Sequence, residues 1–159
     1  RIIPFELAAA LVQVEPGRKA SLLLHCPSEA GEAVRLAAKE RAIAAWSEAS
    51  KSSLAEDQVV VRVTGKRAPP GTQPPLLLAD SLAAPLTVEG RPAGVIVLFS
   101  SREQAFREDD ARLLGVLANQ TAATVRNLRC WAPSAAASSG WWSAWPTGSS
   151  SPTRATSWW

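Results

Sequence analysis

The sequence predicts an α+β fold in which a central antiparallel sheet of about five to six strands is flanked by helices. Short apolar and β-branched runs alternate with turn residues through most of residues 1–130. A stretch rich in Ala, Glu, Arg and Lys lies among these runs, and a second segment with helical spacing ends the region. With 47% hydrophobic and 19% charged residues, the composition is that of an ordinary folded domain.

The first predicted element is a β-hairpin. The apolar run at residues 7–14 ends at Glu15-Pro16-Gly17-Arg18, which has Pro and Gly where a turn needs them. Residues 20–25 then form the returning strand. We expect Pro27 and Ser28 to end that strand, with Ser28 capping the helix that follows.

The middle of the domain is predicted as helix, strand and loop. A helix is expected over residues 29–50, with Leu36 and Ile43 on one face and Trp46 near the edge of that face. This apolar stripe is narrow, so we expect the helix to lie on the surface. Residues 58–63 are rich in Val and predict a strand, and the four prolines at 66–75 predict a loop.

A second hairpin and a long helix end the folded region. The strands of this hairpin lie within residues 82–99, and Glu89-Gly90-Arg91 forms the turn between them. The run at 94–99 is continuously apolar, as expected of a central strand covered on both faces, and Gly94 allows close packing against a helix. The last helix begins near Glu108, where three acidic residues favour a helix N-terminus, and runs to about Arg129.

The chain changes character after Cys130. Residues 131–159 hold six of the seven Trp residues and one charged residue, Arg154, without helical or strand periodicity. Disordered tails are generally poor in aromatic residues and rich in charge, so the segment does not resemble a selected linker. We interpret it as an out-of-frame or otherwise non-native extension, and the alternative is a natural low-complexity tail anchored by Trp. No function is predicted for it.

Several classes of function are excluded by composition. The net charge of +3 is spread out, and the basic pairs at 18–19 and 66–67 form no stripe with aromatic residues, so we predict no nucleic-acid partner. No apolar run approaches the ~18–20 residues of a membrane span, so no membrane partner is predicted. Two cysteines, Cys26 and Cys130, are too few for a disulfide framework. We expect reduced thiols and a cytoplasmic location.

The second hairpin and the last helix together resemble the C-terminal half of a GAF domain. That half has a strand ending in Pro-Leu, a Gly turn, a Gly-Val-Ile-Val-Leu strand, a Phe-x-x-x-Asp step and a helix with Leu-Ala-x-Gln-x-Ala. The matching residues are Pro85-Leu86, Gly90, Gly94-Val95-Ile96-Val97-Leu98, Phe106, Asp109-Asp110, Leu113-Leu114, Leu117-Ala118, Gln120 and Ala122-Ala123. The match covers residues 80–128 well, and residues 5–65 fit the earlier strands only in pattern. Arg107 departs from the family, which usually places a capping Ser or Thr there.

The resemblance implies a GAF/PAS-like fold and a non-catalytic regulatory role in a larger bacterial signalling protein, such as a sensor histidine kinase or a diguanylate cyclase. It also implies that the family's first helix is missing before Arg1 and the output module is missing after Cys130. Such domains usually form homodimers through their terminal helices. The residues expected to form the dimer helix here are Leu114, Leu117, Thr121, Val125 and Leu128.

Segment 27–80 would line a ligand pocket in such a domain. The candidate binding residues in and beside it are His25, Cys26, Arg35, Trp46 and Arg62. Bilin-binding members carry a Cys-His dipeptide on a later segment, whereas His25-Cys26 is reversed and earlier, and the Asn-Lys part of the cyclic-nucleotide pattern is absent. We therefore predict no cofactor. One His and one Cys cannot complete a zinc site, so no metal is predicted either.

Two functions remain open after these exclusions. The chain has no Gly-rich phosphate loop and no nucleophile motif, so we do not expect an enzyme. The first hypothesis is a sensory domain that binds an unknown small molecule. The second is a degenerate domain that serves only as a dimerisation module. A pocket beneath segment 27–80 would favour the first, and an open apolar stripe on the last helix would favour the second.

Overall fold

A computed structural model of the chain describes residues 3–13, 17–67 and 78–131. Five strands and two long helices follow one another along these ranges, with a short 3-10 turn at Glu56–Gln58 before the third strand. The elements are β1 (Leu7–Val12), β2 (Ala20–Ala30), α1 (Glu32–Ser50), β3 (Val59–Arg67), β4 (Asp80–Val88), β5 (Arg91–Ser100) and α2 (Glu108–Trp131). The α+β class is therefore confirmed. The expected Pro-rich loop falls mainly on residues 68–77, outside the described residues.

The five strands form one sheet in the order β3-β2-β1-β5-β4. Both predicted hairpins are present, because β1 pairs antiparallel with β2 and β4 pairs antiparallel with β5. β1 and β5 are also antiparallel and join the hairpins at the centre. β3 is the exception to the predicted antiparallel pairing, because it runs parallel to β2. The reason is the helical crossover: α1 carries the chain back over the sheet, so β3 starts at the same end as β2.

The sheet separates two apolar cores. On one face, α1 covers residues of β1, β2 and β5, and Phe99 is fully buried there. On the other face, α2 packs on β4 and β5 around Leu86 and Leu98. β5 contributes to both cores because successive strand residues point to opposite faces. The prediction that residues 94–99 form a strand covered on both faces is confirmed.

The junction between β2 and α1 differs from the prediction. β2 continues through Pro27 and Ser28 to Ala30, and its pairing with β3 shifts register between Cys26 and Ala30. Proline is tolerated in a strand where the ladder is irregular, because its missing N–H then breaks no regular pairing. α1 starts at Glu32, and its N-cap is Gly31, which contributes no side-chain hydrogen bond. Ser28 is therefore not the cap.

The buried face of α1 is also different from the expected stripe. Its buried residues are spaced four apart, at Val34, Ala38, Ala42 and Trp46, whereas Leu36 is 53% exposed. Two of the four are Ala, whose small side chain lets the helix axis approach the sheet closely. Trp46 then fills the wider space at the end of the helix. The prediction is wrong for Leu36. The larger Leu side chain dominates the hydrophobic pattern of the sequence, whereas the Ala residues that are in fact buried contribute little to it.

The start of α2 shows how the chain does without a capping Ser or Thr. The Arg107 backbone N–H donates a hydrogen bond to Oδ2 of Asp110 over 2.9 Å. This contact is the reciprocal half of a capping box, in which the third helical residue reaches back to the N-cap. Phe106, which precedes it, is half-buried against the core beneath α2. Asp110 therefore takes over part of the capping role at Arg107.

Candidate functional site

Three of the five candidate residues lie on the face of the sheet that α1 covers. Cys26 follows Leu22 and Leu24 on this face of β2, and its side chain is almost fully buried. Arg35 lies in the second turn of α1 and is half-buried, while Trp46 is buried near the end of the same helix. Cys26 and Arg35 are close enough to interact electrostatically. The structure thus brings Cys26 and Arg35 together at the junction of β2 and α1.

The chemistry of Cys26 is set by burial. Burial raises the pKa of the Cys26 thiol above its ordinary value of 9.0, and the Arg35 guanidinium acts in the opposite direction. Because burial is the larger cause, the neutral thiol is favoured in the folded chain. A neutral thiol is a poor nucleophile. Cys26 therefore behaves as part of the core.

We expect Cys26 to resist alkylation by iodoacetamide at pH 8 in the native chain and to react once the chain is unfolded. The pKa is higher in the folded than in the unfolded chain, so the free energy of unfolding should fall as pH rises above 9.0 towards the folded value. A Cys130→Ala background leaves Cys26 as the single thiol, and Cys26→Ala should flatten this part of the pH profile. Equal alkylation rates in native and unfolded chain would contradict the prediction.

The other two candidates lie on the opposite face of the sheet. His25 is exposed, and its Nδ1 lies 3.1 Å from Oγ1 of Thr64 on β3. Arg62 is also exposed and pairs in register with Leu23. His25 and Cys26 are neighbours in sequence but point to opposite faces, because side chains alternate along a strand. They therefore do not form a common binding site.

Trp46 carries a polar group that the core does not satisfy. Its side chain is 2% exposed, yet the indole N–H has no hydrogen-bond partner in the described part of the chain. A buried donor without a partner costs about 1–3 kcal/mol relative to a satisfied one. The side chains around it belong to one continuous apolar cluster that includes Leu11, Leu22 and Val95. Nothing in the sequence distinguished this nitrogen from that of any other Trp.

A cavity that sequence reasoning missed lies at one end of the sheet. It has a volume of about 340 Å³ and is lined by residues 4–6, Ser100 and residues 102–105. Glu6 lines the cavity and is held in place by Ser101. Both the backbone N–H and the hydroxyl of Ser101 donate hydrogen bonds to the Glu6 carboxylate. Glu6 and Ser101 are 95 residues apart in sequence, so no local pattern could have indicated the pair.

The structure divides the residues predicted for the dimer helix between core and surface. Leu114 and Val125 are buried against the sheet. Leu117 and Thr121 are exposed, and the Thr121 hydroxyl donates to the Leu117 carbonyl over 2.8 Å. The side chain of Leu128 lies outside the described residues. Val116, which was not predicted, extends the exposed apolar surface beside Leu117.

The described residues show neither a metal-binding cluster nor a membrane-spanning helix. Within the ranges 3–13, 17–67 and 78–131, no three His, Cys, Asp or Glu residues are grouped so that they could hold a metal ion. No described helix is both long enough and apolar enough to cross a membrane.

The fold described above is that of a small α+β domain, with a five-stranded sheet between two helices. The family model for the GAF domain matches residues 2–127, and the chain belongs to this family. Neither the curated proteins nor the solved structures contain a match to the chain. GAF domains are in general regulatory or sensory and not catalytic, so the predicted family and the predicted class of function are both confirmed.

Proposed function

We propose that this GAF domain regulates a bacterial, cytoplasmic signalling protein and passes its signal to an output module through α2. The supporting observation is the way α2 is attached to the sheet. This helix has 24 residues, and Leu114, Ala118, Ala122 and Val125 bury one side of it against β4 and β5. A helix held along its length moves with the sheet beneath it, so a change in the sheet reaches whatever follows α2. A sensor histidine kinase or a diguanylate cyclase is the proposed parent.

The proposed input is a small molecule bound on the α1 face. The unpaired indole N–H of Trp46 supports this, because an acceptor oxygen on a ligand would satisfy a donor that the described side chains leave open. The Arg35 guanidinium supplies positive charge on the same helix. Segment 68–77, which forms part of the expected pocket lining, lies outside the described residues.

Thermal unfolding of the full chain tests whether a small molecule binds on the α1 face. Succinate and benzoate, each added in large excess, are the probes, because a carboxylate offers an acceptor oxygen for the indole N–H. A ligand at 100 times its dissociation constant stabilises the folded chain by about 2.7 kcal/mol. We expect the resulting rise in Tm to disappear in Trp46→Phe, which keeps an aromatic ring and removes the N–H. Leu36→Ala, on the exposed side of α1, should keep it. A rise in Tm that Trp46→Phe leaves unchanged would contradict the placement of the site.

The alternative function is dimerisation through α2 without a ligand. The exposed apolar side chains of Val116 and Leu117 support it, because a second copy of α2 could cover them. Sedimentation equilibrium of the full chain with Leu117→Lys tests this function, and Leu36→Lys on α1 is the matched control. Dissociation of a dimer by Leu117→Lys alone supports the helix contact. A dimer that survives Leu117→Lys contradicts it.

A further inference from the structure

The cavity beside Glu6 has the size of a small-molecule site. Its volume of about 340 Å³ lies at the lower end of the range of about 300–1,000 Å³ that is usual for such sites. Its walls come from the segment before β1 and from the end of β5 with the loop that leads to α2. None of its lining residues belongs to α1, so this cavity is separate from the α1 face.

Ser100 places an unused hydrogen-bond donor on the wall of this cavity. Its side chain is only 5% exposed, and its Oγ accepts a hydrogen bond from the Arg102 backbone N–H over 3.2 Å. A hydroxyl group can also donate one hydrogen bond, but no acceptor for the Ser100 proton lies among the described residues. Because an unsatisfied buried donor is costly, an acceptor oxygen on a ligand would be stabilised at this point.

Two opposite charges line the same cavity without neutralising each other. Glu6 is half-buried, and Ser101, its hydrogen-bond partner, offers its carboxylate only uncharged donors. A carboxylate has about four acceptor sites, so Glu6 can accept further bonds. Arg102 is exposed, and within the described ranges neither Glu6 nor Arg102 takes part in an ion pair. The cavity therefore offers one position for a cation and one for an anion.

We propose that this cavity binds a free α-amino acid with an apolar side chain. The ammonium group donates to Glu6, and the carboxylate accepts from the Ser100 hydroxyl and pairs with Arg102. The apolar side chain packs against Phe5, which is 37% exposed and lines the cavity. A ligand with a single charge would leave either Glu6 or Arg102 without a partner, whereas an amino acid carries both charges on one carbon atom.

Isothermal titration calorimetry of the full chain with three matched compounds tests this class of ligand. L-Leucine carries both charged groups, isoamylamine lacks the carboxylate, and 4-methylpentanoate lacks the ammonium group. We expect L-leucine to bind at least about tenfold more tightly than either of the others, because each of them loses charge-assisted hydrogen bonds. An absence of measurable binding heat for L-leucine would overturn the proposal, as would equal affinity for all three compounds.

Two kinds of variant assign the charged groups to the ends of the ligand. Glu6→Gln should weaken the binding of L-leucine and isoamylamine and leave 4-methylpentanoate unaffected. Ser100→Ala and Arg102→Gln should weaken L-leucine and 4-methylpentanoate and leave isoamylamine unaffected. Arg102 is exposed, so its variant keeps the test valid even if Ser100→Ala lowers the stability of the chain. Glu40→Gln, exposed on α1, is the control and should bind L-leucine like the wild type.

Further variants separate this cavity from neighbouring positions. Glu103 is a second, exposed carboxylate on its wall, and loss of L-leucine binding in Glu103→Gln but not in Glu6→Gln would overturn the assignment of the ammonium group. Trp46→Phe should leave L-leucine binding unchanged, because Trp46 does not line this cavity. Loss of L-leucine binding in Trp46→Phe alone would place the ligand on the α1 face and overturn the proposal.

Discussion

Replacing Gly94 with Val is expected to lower the free energy of unfolding by about 3 kcal/mol. Gly94 lies on β5 opposite Val12 of β1, at the centre of the sheet. A Cβ atom at this position would lie 2.5 Å from the Leu11 carbonyl oxygen and 2.8 Å from Cδ1 of Leu86. The Leu86 side chain can rotate, but the carbonyl belongs to the central strand. The clash must therefore be relieved by separating β1 from β5, which weakens the ladder that joins the two hairpins.

Denaturant unfolding followed by far-UV circular dichroism measures this effect. Gly115→Ala is the matched control, because a Cβ atom there meets nothing within 4 Å. Gly115 lies within α2, where Ala is favoured over Gly by about 0.5–1 kcal/mol, so this variant should be slightly more stable than the wild type. A Gly94→Val chain that unfolds at the wild-type denaturant concentration would show that β1 and β5 do not approach each other as described.

Gly94 also illustrates how far the sequence defines the fold. The glycine predicts a close approach, but the approaching group is a neighbouring strand and not the expected helix. Both hairpins were predictable because the apolar runs and the turn residues between them are local in sequence. The parallel position of β3 was not, because it depends on where α1 carries the chain after Ser50. The buried face of α1 was also not predictable, because two of its four residues are Ala and give only a weak hydrophobic pattern in the sequence.

The arrangement of the candidate residues could not be predicted from the sequence. Cys26, Arg35 and Trp46 lie on the α1 face, whereas His25 and Arg62 lie on the opposite face. Side chains alternate between the two faces of the sheet along β2, so His25 and Cys26 point in opposite directions. The sequence does not indicate which of these two residues points towards α1. The cavity beside Glu6 was beyond prediction, because Glu6 and Ser101 meet only when β1 pairs with β5.

Trp46→Ala is the second variant for which a large loss is expected, about 4 kcal/mol in the free energy of unfolding. Trp46 is the largest fully buried side chain in the described chain, and its loss would leave a void between α1 and the sheet. Circular dichroism is again the measurement, since the six remaining Trp residues would obscure a fluorescence change. Leu36→Ala on the same helix is the control, and its exposed position predicts a change within about 0.5 kcal/mol.

Trp46→Phe separates two effects of the Trp46 side chain on the free energy of unfolding: the space that the ring fills and the cost of burying the indole N–H. Phenylalanine leaves a smaller void than alanine. It also removes the N–H, which has no acceptor among the described residues and whose burial in that state costs about 1–3 kcal/mol. We therefore expect Trp46→Phe to lose much less stability than Trp46→Ala. The described core leaves the nitrogen without an acceptor, which is the basis for the proposed ligand on the α1 face. If Trp46→Phe destabilised the ligand-free chain as much as Trp46→Ala, the indole nitrogen would already be satisfied within the fold, and the argument for a ligand on the α1 face would fail.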